Sequence, residues 1–194
     1  MRTAFNLTVD EAQHLFVNVR EIASSDYLKR TLTEYLPLAN AINMEKARSE
    51  LLIAPILLEV RRIFNGEIGF FSGTEFEVDP ELGLNGFCDY ILTASRELYE
   101  IRSPVVTLVE AKNENIKSGL GQCIAEMIAA QRFNQRDALE LSTIYGAVTT
   151  GAIWKFLKLL GQTAFIDLDD YYITSYEKII GILCQPFLSH SASI

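Results

Sequence analysis

The sequence predicts a mixed α/β domain with one central mixed β-sheet flanked by helices. Three observations carry this. Helical patterns fill the chain up to Gly66, strand-like segments then follow one another three times, and a helix, further strands and a last helix close the chain. At 194 residues and 49% hydrophobic content, one compact domain with little disorder is expected.

The elements follow in order. Thr8 and Glu11 form a capping-box pattern ahead of "AQHLFVNVREI", which predicts a first helix over 9–23. A helical or looped stretch continues through "YLKRTLTEYLPLAN". The segment "NMEKARSELLIAPILLEVRRIFNG" predicts a helix ending near Gly66. Pro55 should kink or restart it, because the proline ring clashes with the carbonyl four residues back. Residues 1–40 are read as an N-terminal helical layer of the same domain, or as a dimerisation element, and residues 41–194 as the core.

After Gly66 the period changes. "EIGFFSGTEFEVD", "LNGFCDYILTAS" and "SPVVTLVEAKN" read as three consecutive strands, the last two joined by a longer "RELYEIR" excursion. From Gly119 to about Asn134 an alanine- and isoleucine-rich helix is apolar nearly all round, so it needs cover on more than one side. "STIYGAVTTG" and "WKFLKL" predict two strands joined at Gly151, "TAFIDLDDYYI" an edge, and "SYEKIIGILCQPFL" a closing helix.

Composition excludes several classes. No apolar run approaches the ~18 residues needed to cross a bilayer. "MRTAFNLTVDEAQ" lacks the pattern of a signal peptide, so a soluble cytoplasmic protein is expected. Cys88, Cys123 and Cys184 are far apart and never in a C-x-x-C pair, which predicts three reduced, buried thiols. His14, in the predicted first helix, and His190, in a predicted tail, are the only histidines, too few for histidine-based hydrolysis or a serine triad. "SGLGQC" lacks the Lys-Ser/Thr of a phosphate-binding loop. The net charge of -8 opposes a nucleic-acid partner, whose phosphates favour a basic surface. Enzymes that hold divalent cations with carboxylates are a partial exception, since the metal supplies positive charge.

The chemistry concentrates in "LVEAKNENIKSGLGQCIAEM". Along a strand Val106, Leu108, Glu110 and Lys112 share one face, opposite Val105, Thr107, Val109 and Ala111. The alternative for Glu110 and Lys112 is a salt bridge on a solvated sheet face, but Val106 and Leu108 argue that this face is covered. The preceding strand brings Asp89, flanked by Phe87, Cys88, Tyr90 and Ile91, beside Glu110 if the two strands pair. Two carboxylates that close require a proton or a cation between them. Mg²⁺ is a suitable occupant because it takes only one or two protein carboxylates plus waters.

An Asp, then Glu-x-Lys on the next strand, then a helix opening with a glutamine, resembles the PD-(D/E)XK nuclease superfamily. Asp89 in "GFCDY", Glu110 and Lys112 in "VEAKN", and Gln122 in "GLGQCIAEM" carry the resemblance, over roughly residues 45–150. Where some branches carry a tyrosine four residues after the glutamine, this chain has Glu126. The resemblance implies a restriction-endonuclease-like fold and Mg²⁺-dependent cleavage of DNA, with Mn²⁺ as a possible substitute. It implies Asp89 and Glu110 as metal ligands, the Ala111 carbonyl as a further one, and Lys112 as the group that positions the attacking water. Glu50, on the helix before the sheet, would bind a metal through water or a second metal directly, and Gln122 would hold the lysine or the metal-bound water. Glu50 could equally pair with a basic residue or be exposed, and Gln122 could only cap its helix. Glu45, Glu59 and Glu126 read as solvated helix residues. A lone catalytic domain of this kind can act as a homodimer. The competing expectation is a catalytically silent nuclease-fold domain that binds or scaffolds.

Overall fold

The computed structural model describes residues 5–139 and 141–191. In chain order these form β1 (Thr8–Gln13), α1 (Asp26–Ile42), α2 (Glu45–Arg48), a π-helical turn (Ser49–Ile53), α3 (Ala54–Ile63), β2 (Gly69–Glu75), β3 (Phe87–Thr93) and β4 (Val105–Ala111). Then come α4 (Ile116–Arg136), β5 (Thr143–Thr149), β6 (Ile153–Leu160), β7 (Thr163–Asp167), β8 (Tyr171–Tyr172) and α5 (Tyr176–Ser191). Among the described residues eight strands make one sheet in the order β1-β7-β6-β5-β4-β3-β2, with β8 paired to β6. β1 runs parallel to β7 and β4 parallel to β5, while the other pairs are antiparallel. The expected mixed sheet flanked by helices is therefore present.

Two apolar layers cover the sheet. On one side Cys123, Ile124, Met127 and Ile128 of α4 pack on Ile91, Leu108, Val148 and Leu157. On the other, Leu52, Ile56, Val60, Ile179 and Ile180 pack on Tyr90, Val109, Trp154 and Phe156. Each fully buried side chain of this size contributes ~1.5–3 kcal/mol, so both layers are needed for stability. Close approach of α4 needs two glycines. A Cβ on Gly146 would fall 2.5 Å from Met127 Sδ, and one on Gly119 2.7 Å from Val148 Cγ1.

Local rules explain most boundaries. Ser25 caps α1 by accepting from the Leu28 N–H at 3.2 Å. Asn115 caps α4 by accepting from the Lys117 N–H at 3.0 Å. Asn134, buried near the far end of α4, donates to the Val105 carbonyl and accepts from its N–H, both at 2.8 Å. This locks α4 to the start of β4. Pro55 stands just after the π turn, where the Ala54 N–H reaches the Ser49 carbonyl five residues back. The expected restart of the helix at Pro55 thus takes the form of one wider turn.

Three expectations are corrected. The helix over 9–23 does not form: residues 8–13 are a strand beside β7, and the chain then crosses the sheet irregularly, burying Phe16. "TVDEAQ" carries no strand alternation, its apolar Val9 and Ala12 standing three apart, and the deciding contact is 155 residues away, at Thr8 opposite Thr163. The N-terminal layer is accordingly part sheet and part helix. Second, Val106 packs in the layer opposite Leu108, because the β3–β4 register shifts between Leu92 and Thr93 and turns the first residues of β4 over. Third, α5 runs to Ser191, so His190 lies in the closing helix rather than a tail. All three cysteines are buried and free, as expected.

Candidate functional site

Asp89 sits where β3 leaves strict alternation: Cys88 packs in the α4 layer and Tyr90, two residues on, in the opposite one. Asp89 thereby reaches the end of β4, and its Oδ2 accepts from the Ala111 N–H at 2.8 Å. Tyr90 is held on the other side by the π turn, donating to the Ser49 carbonyl at 2.9 Å and sharing a 2.6 Å hydrogen bond with the Ser49 hydroxyl.

Glu110, in the most buried strand of the sheet, is only 1% exposed. Its Oε1 accepts from the Lys112 ammonium, while its Oε2 is buried with no N–H or hydroxyl donor among the described residues. Lys112 also donates to Gln122 Oε1 at 3.4 Å, and the Gln122 amide donates to Glu126 Oε1 at 3.1 Å. Glu126 Oε2 is likewise buried with no N–H or hydroxyl donor among the described residues. Asp89, Glu110, Ala111, Lys112 and Gln122, all anticipated from sequence, are therefore brought together by β3, β4 and the first turns of α4. Gly119 makes this possible, because a Cβ there would come within 3.1 Å of the Lys112 side chain.

Electrostatics set the protonation. Burial raises Glu110 from its ordinary value to about 7, the Lys112 hydrogen bond pulls it back and the Asp89 charge pushes it further up. Burial raises Glu126 to about 8, assisted by the Glu110 charge. The two carboxyls lie close enough to hydrogen-bond each other, which requires one of them to be protonated. Lys112 behaves oppositely: burial works against its charge, but Glu110, Asp89 and Glu45 outweigh it and the ammonium is held. Lys112 is thus a permanent donor at neutral pH and no base. The Cys88 and Cys123 thiols are pushed up, by burial first and then by the neighbouring carboxylates, so neither serves as a thiolate.

Glu50 is not brought in. Its carboxylate is 61% exposed and ion-paired with Lys46 at 3.1 Å, one helical turn away. The charge from this stretch that reaches Lys112 is that of Glu45. Glu45 is exposed as expected, but the solvated reading of Glu126 and Glu59 is corrected. Glu126 is half-buried, its Oε2 kept from water, because Cys88 and the β2–β3 loop stand over α4. Its spacing of four from Gln122 was the signal available in the sequence. Glu59, 3% exposed, accepts from the Ser25 N–H at 2.6 Å and hydroxyl at 2.9 Å, and pairs with Arg62 at 3.2 Å. Arg48 is a further neighbour missed, donating to the Asn113 carbonyl at 2.9 Å just after the motif.

Among the described residues no three Asp, Glu, His or Cys side chains are gathered as a ready metal cage. The donor set nonetheless suits a hard cation. The Asp89 and Glu110 carboxylates and the Ala111 carbonyl are all oxygen donors, and one or two carboxylates suffice for Mg²⁺. No family model, curated protein or solved structure matches this chain.

Proposed function

We propose that the protein is a Mg²⁺-dependent nuclease of the PD-(D/E)XK type, with a restriction-endonuclease-like core, hydrolysing phosphodiester bonds in DNA. The observation that carries this reading is Glu110, a carboxylate removed from water beside the Asp89 charge and within hydrogen-bond reach of a second carboxyl, Glu126. Such a group costs several kcal/mol unless a proton or a cation completes it. The element order supports the reading too: α3, the antiparallel run β2–β3–β4, then α4 and the parallel strand β5.

In this reading Asp89, Glu110 and the Ala111 carbonyl hold Mg²⁺, or Mn²⁺ in its place. The bound ion supplies a lowered water pKa and positive charge beside the phosphate. Asp89 fixes the Ala111 peptide through its N–H, so the candidate ligands on β3 and β4 move as one unit. Lys112, kept charged and held by Glu110 and Gln122, is a compact cation that orients water and offsets charge on a phosphate oxygen. Glu126 anchors Gln122 and, when protonated, relieves the crowding of charge around Glu110.

Calorimetric titration of Mg²⁺ and Mn²⁺ into wild type and Glu110→Ala, followed by DNA cleavage with wild type and Asp89→Ala, tests it. Metal binding lost in Glu110→Ala and cleavage lost in Asp89→Ala are expected. Asp89→Ala protein that cuts as well as wild type would sink the proposal. The net charge of -8 favours a second reading, a nuclease-fold domain that binds or scaffolds without cutting. Metal binding with no cleavage by wild type on any DNA would select it.

A further inference from the structure

Next to the carboxylates, a cavity of about 270 Å³ opens between the β2–β3 loop and α4, lined by Phe76, Asn85, Phe87, Cys88, Gln122 and Glu126 among others. Its loop wall is built rather than loose, since the Phe76 N–H donates to the Gly86 carbonyl at 2.8 Å and Val78 to the Leu84 carbonyl at 3.0 Å. Phe87 borders it and is 69% exposed, unusual for a phenylalanine that opens a strand of the central sheet. The volume lies just under the ~300 Å³ at which drug-sized sites begin, which leaves room for one flat ring system. Two aromatic rings supply apolar walls. The amides of Asn85 and Gln122 and the carboxyl of Glu126 supply donors and acceptors along the edge. No lysine or arginine lines it, so it does not take a phosphate.

From this geometry we infer that the cavity receives one unpaired nucleobase of a single-stranded DNA substrate, stacked on Phe87, beside the phosphate under attack. The inference rests on the nuclease reading for that phosphate. Gln122 joins the two places, since it lines the cavity and also holds Lys112. A base within a duplex cannot enter without being unpaired and flipped. Single-strand binding draws on aromatic platforms on which bases stack whatever their sequence, and an exposed ring beside a cavity is such a platform.

The test uses one oligonucleotide as a single strand and as a blunt duplex, carrying a 2-aminopurine, with wild type and Phe87→Ala. In Mg²⁺ the single strand is expected to be cut at least ~10-fold faster than the duplex. Phe87→Ala is expected to raise KM about 5- to 100-fold on the single strand, the range of one stacking contact. In chelator, 2-aminopurine emission should change with wild type and not with Phe87→Ala. Equal cutting of both DNAs, with Phe87→Ala unaltered, overturns the inference and leaves the nuclease standing. An emission change that depends on Phe87, without cleavage of either DNA, upholds the base pocket and removes the nuclease. Neither emission change nor cleavage removes both. Because Phe87 is mostly exposed, the substitution leaves the fold intact, which circular dichroism checks.

Discussion

Glu59 and Glu110 are almost equally buried, at 3% and 1% exposed, yet they are treated differently by their surroundings. Both oxygens of Glu59 have donors: the Ser25 N–H on one, the Ser25 hydroxyl and Arg62 on the other. Asp167, 2% exposed, is equally complete, accepting from Leu15 N–H at 3.0 Å and from the Tyr171 hydroxyl at 2.8 Å. Glu110 has one N–H donor, Lys112, and otherwise meets a second carboxyl, Glu126, with which a proton must be shared. A carboxylate that only ties elements together is saturated by the protein. One that faces a second carboxyl across a shared proton is a place where a cation from outside can take the proton's part.

The comparison breaks most visibly at Glu110→Gln. Cleavage should fall by more than the ~10–100-fold that outer partners of a metal site cost. The melting temperature in chelator should hold or rise, because a charge that burial disfavours has been removed. If Glu110→Gln unfolds the protein while keeping residual activity proportional to the folded fraction, Glu110 is structural like Glu59. Next comes Glu59→Ala, expected to cost about 2–4 kcal/mol in denaturant unfolding, the sum of hydrogen bonds to a charged group. Cleavage per folded molecule should be unaltered. An unchanged midpoint would end the contrast.

Gly119→Ala comes third. Its methyl meets Val148 and the Lys112 stem, so an overpacking loss of about 1–3 kcal/mol is expected. Cleavage should fall further than stability explains. Smallest is a slope with pH. Glu110 and Glu126 titrate above their ordinary value of 4.5 in the folded chain, to about 7 and about 8. Below about pH 4.5 both are protonated whether folded or not, and nothing is lost. As pH rises from there to about 8, the folded protein must keep protons that the unfolded chain releases, or carry buried charge. Metal-free stability from this pair should therefore fall across that window and level off above it. Glu126→Gln should flatten the slope, and Mg²⁺ should raise the melting temperature more at pH 8 than at pH 5. A slope of opposite sign, with Glu126→Gln indistinguishable from wild type, would contradict the enclosed pair.

Most of the core was legible because its signals are local. β2 to β6, α4 and α5 follow from period and punctuation, and Glu110, Lys112 and Gln122 lie within thirteen positions of one another along β4 and α4. What escaped depends on distant partners. β1 looks helical until β7 is beside it. Glu126 looks solvated until the β2–β3 loop covers it, and Glu59 until Ser25 arrives to cap α1 over it. The displacement of Val106 needed a register shift that no residue in β4 announces.

The π turn at Ser49–Ile53 means that the stretch from Glu45 to Ile63 holds one residue more than a continuous α-helix would thread through the same space. Each residue of helix accounts for about 100° of rotation. Were the same residues wound as ordinary α-helix, the surplus residue would swing α2 about its axis by that angle. Arg48 would then leave the Asn113 carbonyl, Ser49 would leave Tyr90, and the Glu45 charge would turn away from Lys112. The wider turn takes up that rotation in one place, and so keeps the clock position of the helix against the strand ends it overlooks.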